Sequence, residues 1–307
     1  MKMDKRNELS FFSRRTACIM KYAVLGPNGN VGSSLLREFK KRGIECLPIE
    51  REIISDHSMF RLIEWSNRNK PDFFINCIAY MSVDLCELNP ESSEKTNAQF
   101  VETLARFVQT STESRLIHLS SDFVFGGHDR SSPYLPNDST NPVNIYGHHK
   151  VFAEKSVLSI LGSRARVVRL SSFVGKSDKK MTFLDKIEKQ SLTSKHVRVV
   201  DDLTISITTD RVLCDSILNT FACDELIQHS TCSGQTNWFE LAKEFVNVSG
   251  LDIDVVPIKT RNLNLPAVRP EYSVLNPTSY PGIISVAWQE SLRDVCQGPK
   301  FSRTEDF

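Results

Sequence analysis

The sequence predicts an α/β protein built on a doubly wound parallel sheet, with a smaller domain towards its C-terminal end. Three observations predict it. Short apolar runs alternate with helical patterns through the first half of the chain. A glycine-rich turn, Gly26-Pro27-Asn28-Gly29-Asn30-Val31-Gly32, directly follows the first run, and a Tyr-x-x-x-Lys pair, Tyr146 and Lys150, opens a later helix.

The elements follow in order. Ile19-Met20-Lys21-Tyr22-Ala23-Val24-Leu25 is an apolar run that stops at Gly26, the form a strand takes when both faces are covered. The helix after it carries Val31, Leu35, Leu36 and Phe39 on one face and ends near Gly43. A second strand spans Ile44 to Ile49. A helix runs from about Met59 to Arg68, Pro71 closes it, and a third strand covers Phe73 to Ile78. From Ser92 to Thr110, the residues Ala98, Val101, Leu104, Ala105 and Val108 recur at helical spacing. Arg115 to Leu119 is the fourth strand, and a Ser/Asn/Pro-rich loop, Ser131 to Asn144, leads into a helix from Tyr146 to Leu161. Ala165 to Leu170 is the fifth strand. Strands separated by helices of this length can pair in parallel, because the helix supplies the crossover.

Beyond Phe173 the pattern loosens. Helical stretches at Thr182 to Lys189, Arg211 to Phe221 and Trp238 to Val248 mix with strand-like Val197 to Val200 and Ile253 to Ile258. The expected division is a mobile N-terminal arm over 1–18, a dinucleotide-binding (Rossmann) domain over 19–172, and a mostly substrate-binding domain over 173–307. Part of the last can return to the main sheet.

Composition narrows the function. The 307 residues are 40% hydrophobic and 24% charged, which is ordinary for a globular chain. Lys plus Arg number 38 against 37 Asp plus Glu, a formal net charge of +1. That balance argues against a general nucleic-acid or membrane-surface binder, which needs a basic excess. No segment approaches the roughly 20 apolar residues of a membrane span. The first eighteen residues are basic but carry no signal-peptide apolar core. Eight cysteines are scattered without a C-x-x-C pair, as free thiols in a reducing compartment are, so a cytoplasmic location is expected. No His/Asp/Glu set has metal-ligand spacing, and no catalytic metal is expected.

A Gly-x-x-Gly-x-x-Gly turn between strand and helix suits a pyrophosphate. Gly26, Gly29 and Gly32 allow a tight turn, close approach of a ligand and close helix packing. The N–H groups near Asn28, Asn30 and Val31 lie at the positive end of the helix. NADPH or NADH is therefore the expected cofactor. After the second strand, Glu50 could accept from ribose hydroxyls and Arg51 could meet a 2′-phosphate, and the two signals conflict.

Tyr146 and Lys150 stand four residues apart on one helix face. A free tyrosine, with a pKa of about 10, is a poor proton donor or acceptor at neutral pH. A nearby ammonium and a positive nicotinamide ring both favour the phenolate. Ser121, just past the fourth strand, can hydrogen-bond the same substrate oxygen. The pair alone occurs by chance in many helices; its order after the glycine turn and Ser121 gives it meaning.

These residues resemble the dTDP-4-dehydrorhamnose reductase family of extended short-chain dehydrogenases. The resemblance runs through Gly26 to Gly32, Asn76 to Asp84 with Glu87, Asn97, Ser120 to Phe125, Pro142 to Gly147 with Lys150, Arg169 to Ser171, and Arg269-Pro270. It covers about residues 20 to 295. It implies a reductase of 4-keto-6-deoxy sugar nucleotides, with Ser121, Tyr146 and Lys150 as catalytic triad. Ala79 and Tyr80 would lie along the cofactor. Asp122, Phe123, Ser172 and Arg269, with Ser121, would meet the substrate, and a homodimer would be in keeping with relatives. Sugar-nucleotide dehydratases carry Thr-Asp-Glu where this chain has Ser121-Asp122-Phe123, which argues against water elimination.

The chain departs from the family pattern in three places. Ile53 stands for an aspartate, Ser172 for an aromatic residue (Phe173 follows it), and Ile207-Thr208 for Pro-Thr. Two alternatives stay open: a non-catalytic NAD(P)-binding subunit similar to the β subunit of methionine adenosyltransferase, and a two-function epimerase/reductase on a UDP- or dTDP-sugar. Arg269 could serve a pyrophosphate or only a surface ion pair. His148 and His149 are expected to face solvent, His118 to be a satisfied core histidine, Trp238 to be a packing residue, and Lys179-Lys180 to be a solvated turn.

Overall fold

Apolar runs become strands in the computed structural model, which describes residues 20–54, 59–127, 130–175 and 181–297. The N-terminal arm expected over 1–18 and the Lys179-Lys180 pair lie outside the described residues. The first run forms β1 (Tyr22–Leu25), buried at all four positions. Helix α1 (Asn30–Lys41) leaves the glycine turn and leads to β2 (Cys46–Ile49). A short helix α2 (Arg51–Ile54) and α3 (Phe60–Asn69) precede β3 (Phe73–Asn76). Helix α4 (Val83–Leu88) was not anticipated.

The single helix expected from Ser92 to Thr110 is instead three joined pieces. They are α5 (Pro90–Glu94), a π-helical turn (Lys95–Gln99) and α6 (Phe100–Ser111). A π-bulge of this kind re-aims the side chains within it. Here it accompanies the burial of Asn97, which is 0% exposed.

Strand β4 (Arg115–Ser121) runs two residues further than expected, so Ser121 belongs to its C-terminal end. Helix α7 (Ile145–Leu161) and β5 (Ala165–Leu170) fall where the pattern put them. Then come β6 (Ser172–Val174), α8 (Phe183–Ser191), β7 (His196–Val200), β8 (Thr204–Ile205), β9 (Ile207–Thr209) and α9 (Asp210–Asn219). The chain continues through β10 (Ile227–Ser230), β11 (Thr236–Asn237), α10 (Trp238–Ser249), β12 (Asp254–Ile258) and α11 (Trp288–Gln297).

The main sheet has six parallel strands in the order β10-β5-β4-β3-β1-β2. Both faces are covered, which is why the strands read as continuous apolar runs rather than alternating ones. Side chains still alternate by face. Phe74 belongs to the core with Leu104, Val108, Ala153 and Val157 of α6 and α7. Phe73 and Ile75 belong to the opposite core with Leu35 and Phe39 of α1 and Leu213 and Ile217 of α9. Each such side chain, fully buried, stabilises the fold by about 1.5–3 kcal/mol. A third core, with Val197, Ile207, Leu241, Phe245 and Leu292, builds the C-terminal lobe.

The chain leaves β1 towards β2 and resumes at β3 on the other side. Such a reversal opens a crevice beyond the carboxyl ends of β1 and β3, where ligands of open α/β sheets bind. No helix among the described residues is long and apolar enough to cross a membrane.

Candidate active site

The glycine turn sits at this crevice. A Cβ on Gly32 would collide with the Gly26 carbonyl, so the helix can start this close to β1 only with glycine there. At Gly29 a Cβ would meet only the Gly26 carbonyl, at an ordinary 3.5 Å. The protein itself thus leaves room at Gly29, as close approach of a ligand requires. Helix α1 has no side-chain cap and no acidic residue in its first turn, which leaves its N-terminal dipole open to an anion. The Asn30 Oδ1 is buried without a partner. The free helix N-terminus and the room at Gly29 fit a dinucleotide phosphate. Asn28 donates its amide to Glu50 Oε2 at 2.9 Å, and both Glu50 and Arg51 are exposed at the outer rim.

The segment after β3 is fixed by buried amides. Asn76 Oδ1 accepts from Ile78 N at 3.1 Å. Asn97 accepts from Tyr80 N at 2.7 Å and donates to Tyr80 O at 3.0 Å. This clasp holds the backbone from Ile78 to Tyr80 beside the glycine turn. Ala79 lines the central cleft, whereas Tyr80 is held mainly through its backbone.

That cleft, of about 260 Å³, gathers most of the expected residues. Val31 and Ala79 lie in its wall, together with Ser121, Asp122, Phe123, Tyr146, Lys150, Ser172 and Arg269. Glu50, Arg51 and Tyr80 do not, and of the glycine turn only Val31 reaches it, with Gly26, Asn28, Gly29, Asn30 and Gly32 outside its lining. Sequence reasoning gave no site role to Met81, Ser171 and Ser273 there; Met81 and Ser171 fall within blocks of the resemblance, and no local pattern marks Ser273. Trp238 packs edge-on against Phe183, with ring centroids 4.7 Å apart, and also lines the cleft.

Helix α7 delivers the Tyr/Lys pair. Its N-cap Asn144 accepts from Gly147 N at 2.8 Å and donates to Val268 O at 2.8 Å. Gly147 is needed because a Cβ there would strike the Phe123 carbonyl. Tyr146 is 3% exposed; its hydroxyl lies 3.6 Å from Met81 Sδ, and its ring meets Phe123 edge-on at 5.9 Å. Burial pushes the phenol well above its ordinary value, and a hydrogen bond with Ser121 opposes that rise. Desolvation dominates, and Tyr146 holds its proton. Lys150 Nζ donates to Leu119 O at 2.9 Å and lies 5.9 Å from the Tyr146 ring centre. Its pKa is pushed down to about 8, chiefly by burial, with Glu154 opposing.

Asp122 was expected to meet substrate, and the structure gives its carboxylate other partners. It is 4% exposed and accepts from Ser273 Oγ at 2.7 Å, Ser121 Oγ at 3.0 Å and Ser171 Oγ at 3.4 Å. Burial pushes it up to about 6, although these hydroxyls pull the other way. Asp122 therefore orients Ser121 and anchors the segment that follows Arg269. Ser121 Oγ also accepts from Phe123 N at 3.2 Å.

Arg269 makes the ion pair and also lines the cleft. Its Nη2 pairs with Asp84 at 2.7 Å, and its Nη1 donates to Ala267 O at 2.7 Å. The guanidinium holds the Asp84 carboxyl below the usual carboxylate range. His148 is exposed, but His149 is half-buried, with Nδ1 3.1 Å from Ser93 Oγ. His118 is fully buried and meets Asn76 Nδ2 at 3.2 Å, yet its Nε2 has no partner, so it is only half satisfied. Among the described residues, the cysteines are free thiols and no group of three or more His, Cys, Asp or Glu could hold a metal.

Residues 20–299 match the family described as RmlD substrate binding domain. The chain is 26% identical to the spore coat polysaccharide biosynthesis protein SpsK of Bacillus subtilis, over 90% of this chain and 97% of that protein. It is 28% identical to a dTDP-4-dehydrorhamnose reductase of Mycolicibacterium smegmatis, over 92% of this chain and 86% of that one. A solved dTDP-4-dehydrorhamnose reductase from Bacillus anthracis, in complex with NADP, superposes with a TM-score of 0.82 at 25% identity. That match covers 90% of this chain and 98% of the other.

Proposed function

The chain belongs to the RmlD substrate binding domain family, and on that premise we propose that it is an NAD(P)-dependent sugar-nucleotide reductase. Its substrate is a 4-keto-6-deoxy sugar nucleotide, its product the 4-hydroxy sugar, and its cofactor NADPH. One observation carries this reading: Ser121, Tyr146 and Lys150 converge on a single cleft that has the phosphate turn on one side and Arg269 on the other. Relatives that are dTDP-4-dehydrorhamnose reductases, one of them solved with NADP, support it.

Bound NADPH would supply a hydride to the carbonyl carbon; the rest is done by the chain's own side chains. The α1 N-terminus and the turn Gly26 to Gly32 would hold the pyrophosphate. Ser121 and Tyr146 both line the cleft, where Tyr146 Oη can donate to the carbonyl oxygen and Ser121 Oγ can do so once its proton turns from Asp122 to the substrate. As negative charge grows on that oxygen, Tyr146 Oη gives it a proton, and the carbonyl becomes a hydroxyl. Burial keeps the phenol protonated at neutral pH, and the transfer is driven by the growing alkoxide, a stronger base than the phenolate it leaves. The Lys150 ammonium beside it stabilises the phenolate that remains. Arg269, preset by Asp84, offers the substrate's pyrophosphate a cation.

The test is NADPH consumption with dTDP- and UDP-4-keto-6-deoxy sugars, run beside Tyr146→Phe. Turnover that disappears in the variant supports the reading. Tight NADPH binding with no turnover of any keto sugar would overturn it.

A further inference from the structure

Helix α7 brings three ionisable side chains to buried positions at successive turns: Tyr146, Lys150 and Glu154. Glu154 takes no part in the proton transfer from Tyr146. It is 4% exposed, and its Oε1 accepts from Ser120 Oγ at 2.6 Å and Arg169 Nε at 2.9 Å. Its Oε2 accepts from Arg169 Nη2 at 2.7 Å. Arg169 on β5 is 1% exposed, donates also to Pro136 O at 3.1 Å, and lies 3.5 Å from His229 Nε2. Desolvation offsets most of the attraction in such a pair, so stability alone is a weak reason for it.

The groups around Lys150 supply a better reason. On its own helix they are Tyr146 and Glu154. From β4 come His118 and the Leu119 carbonyl, from beyond β3 Cys77, and from α4 Cys86. Burial keeps both thiols protonated and His118 neutral. Among these groups Glu154 is the one carboxylate, and a buried ammonium needs such a charge nearby. It stands one helical turn from Lys150, where side chains at this spacing are neighbours.

The geometry points to Glu154 as a positioning residue: pinned by Ser120 and Arg169, it keeps the Lys150 ammonium charged. Through Ser120 it also ties the end of β4, which carries Ser121, to the helix that carries Tyr146. Burial drives Lys150 towards neutrality and Glu154 opposes it. The catalytic consequence rests on the reductase reading; the protonation of Lys150 does not.

The protonation can be read without substrate. Lysines labelled with carbon-13 at Cε are titrated by NMR, with Lys150 assigned by the signal lost in Lys150→Arg. In Glu154→Gln the Lys150 midpoint should fall by about one pH unit. In Arg169→Gln it should rise, because Glu154 then acts unneutralised. Should either single variant fail to fold, Glu154→Gln/Arg169→Gln removes both buried charges, and its midpoint should also fall, by less. A midpoint that stays fixed, or moves the same way in both single variants, overturns the inference. In the reductase assay the alkaline limb of kcat/KM should follow the midpoint; a uniform loss at every pH with a fixed midpoint would leave Glu154 purely structural. Midpoints that move as expected in a protein that turns over no keto sugar would uphold this inference and overturn the reductase reading.

Discussion

Replacing Asp122 by Asn should make the protein more tolerant of neutral pH while impairing its chemistry. The Asp122 carboxyl titrates near 6 rather than at its ordinary 3.8, because burial disfavours its charge. The folded pKa lies above the unfolded one, so the folded state keeps the proton longer. The stability this confers is fully present below 3.8 and is lost as pH rises through about 6. A shift of about two units corresponds to about 3 kcal/mol. The amide in Asp122→Asn would not titrate, though it would keep only part of the acceptor capacity that serves Ser121, Ser171 and Ser273, at about 1 kcal/mol for each hydrogen bond lost. Urea unfolding followed by tryptophan fluorescence, on both proteins between about pH 4 and 7, measures the difference. The stability of Asp122→Asn relative to the parent should climb by about 2 kcal/mol across that range, the rest of the roughly 3 kcal/mol lying below about pH 4. Turnover should meanwhile fall roughly tenfold, the effect of about 1.4 kcal/mol of misplacement at Ser121. A stability difference that does not vary with pH would refute the reasoning.

Other substitutions separate binding from chemistry. Tyr146→Phe removes a hydroxyl that meets the Ser121 hydroxyl and lies 3.6 Å from Met81 Sδ. Neither contact anchors the fold, so thermal melts should barely move, while turnover drops by about two to four orders of magnitude. Gly32→Ala should lose both stability and NADPH binding, because its Cβ strikes the Gly26 carbonyl. Gly29→Ala should keep its melting temperature yet bind NADPH at least roughly tenfold more weakly by titration calorimetry. Arg269→Gln frees Asp84 from its guanidinium. Steady-state kinetics should show KM for the sugar nucleotide rising about tenfold or more, with kcat changed less.

The five strands read from apolar runs were legible because a parallel sheet covered on both faces makes its strands apolar throughout. The sixth, β10, was not, since Gln228, His229 and Ser230 are polar. Gln228 is satisfied by Thr220 and the Glu225 carbonyl, and His229 by the Asn276 carbonyl, partners that only the folded chain supplies. Helix α4 escaped notice because it is six residues long and leaves Leu85 and Leu88 exposed, so it shows no apolar face. The π-helical turn at Lys95–Gln99 hides inside a sound amphipathic pattern, which one extra residue per turn hardly disturbs.

The convergence of Ser121, Tyr146 and Lys150 on one cleft was legible from order and spacing, because β4 and α7 follow one another in the chain and pack together in the fold. The partners of Asp122 were not: the resemblance implied substrate contact, and Asp122 does line the cleft, but the hydroxyls of Ser171 and Ser273 that donate to it are distant in sequence. Arg269 was visible as a cation before proline; its fixed partner Asp84 lies 185 positions away.

Hydride delivery to the sugar is the central claim, and isotope transfer tests it most directly. The protein is incubated with a 4-keto-6-deoxy sugar nucleotide and NADPH carrying deuterium at its transferable C4 position, and the product sugar is examined by mass spectrometry and NMR. One deuterium at sugar C4, with its yield lost in Tyr146→Phe, is the expected result. NADPH bound in the cleft with no deuterium reaching any keto sugar offered would contradict it.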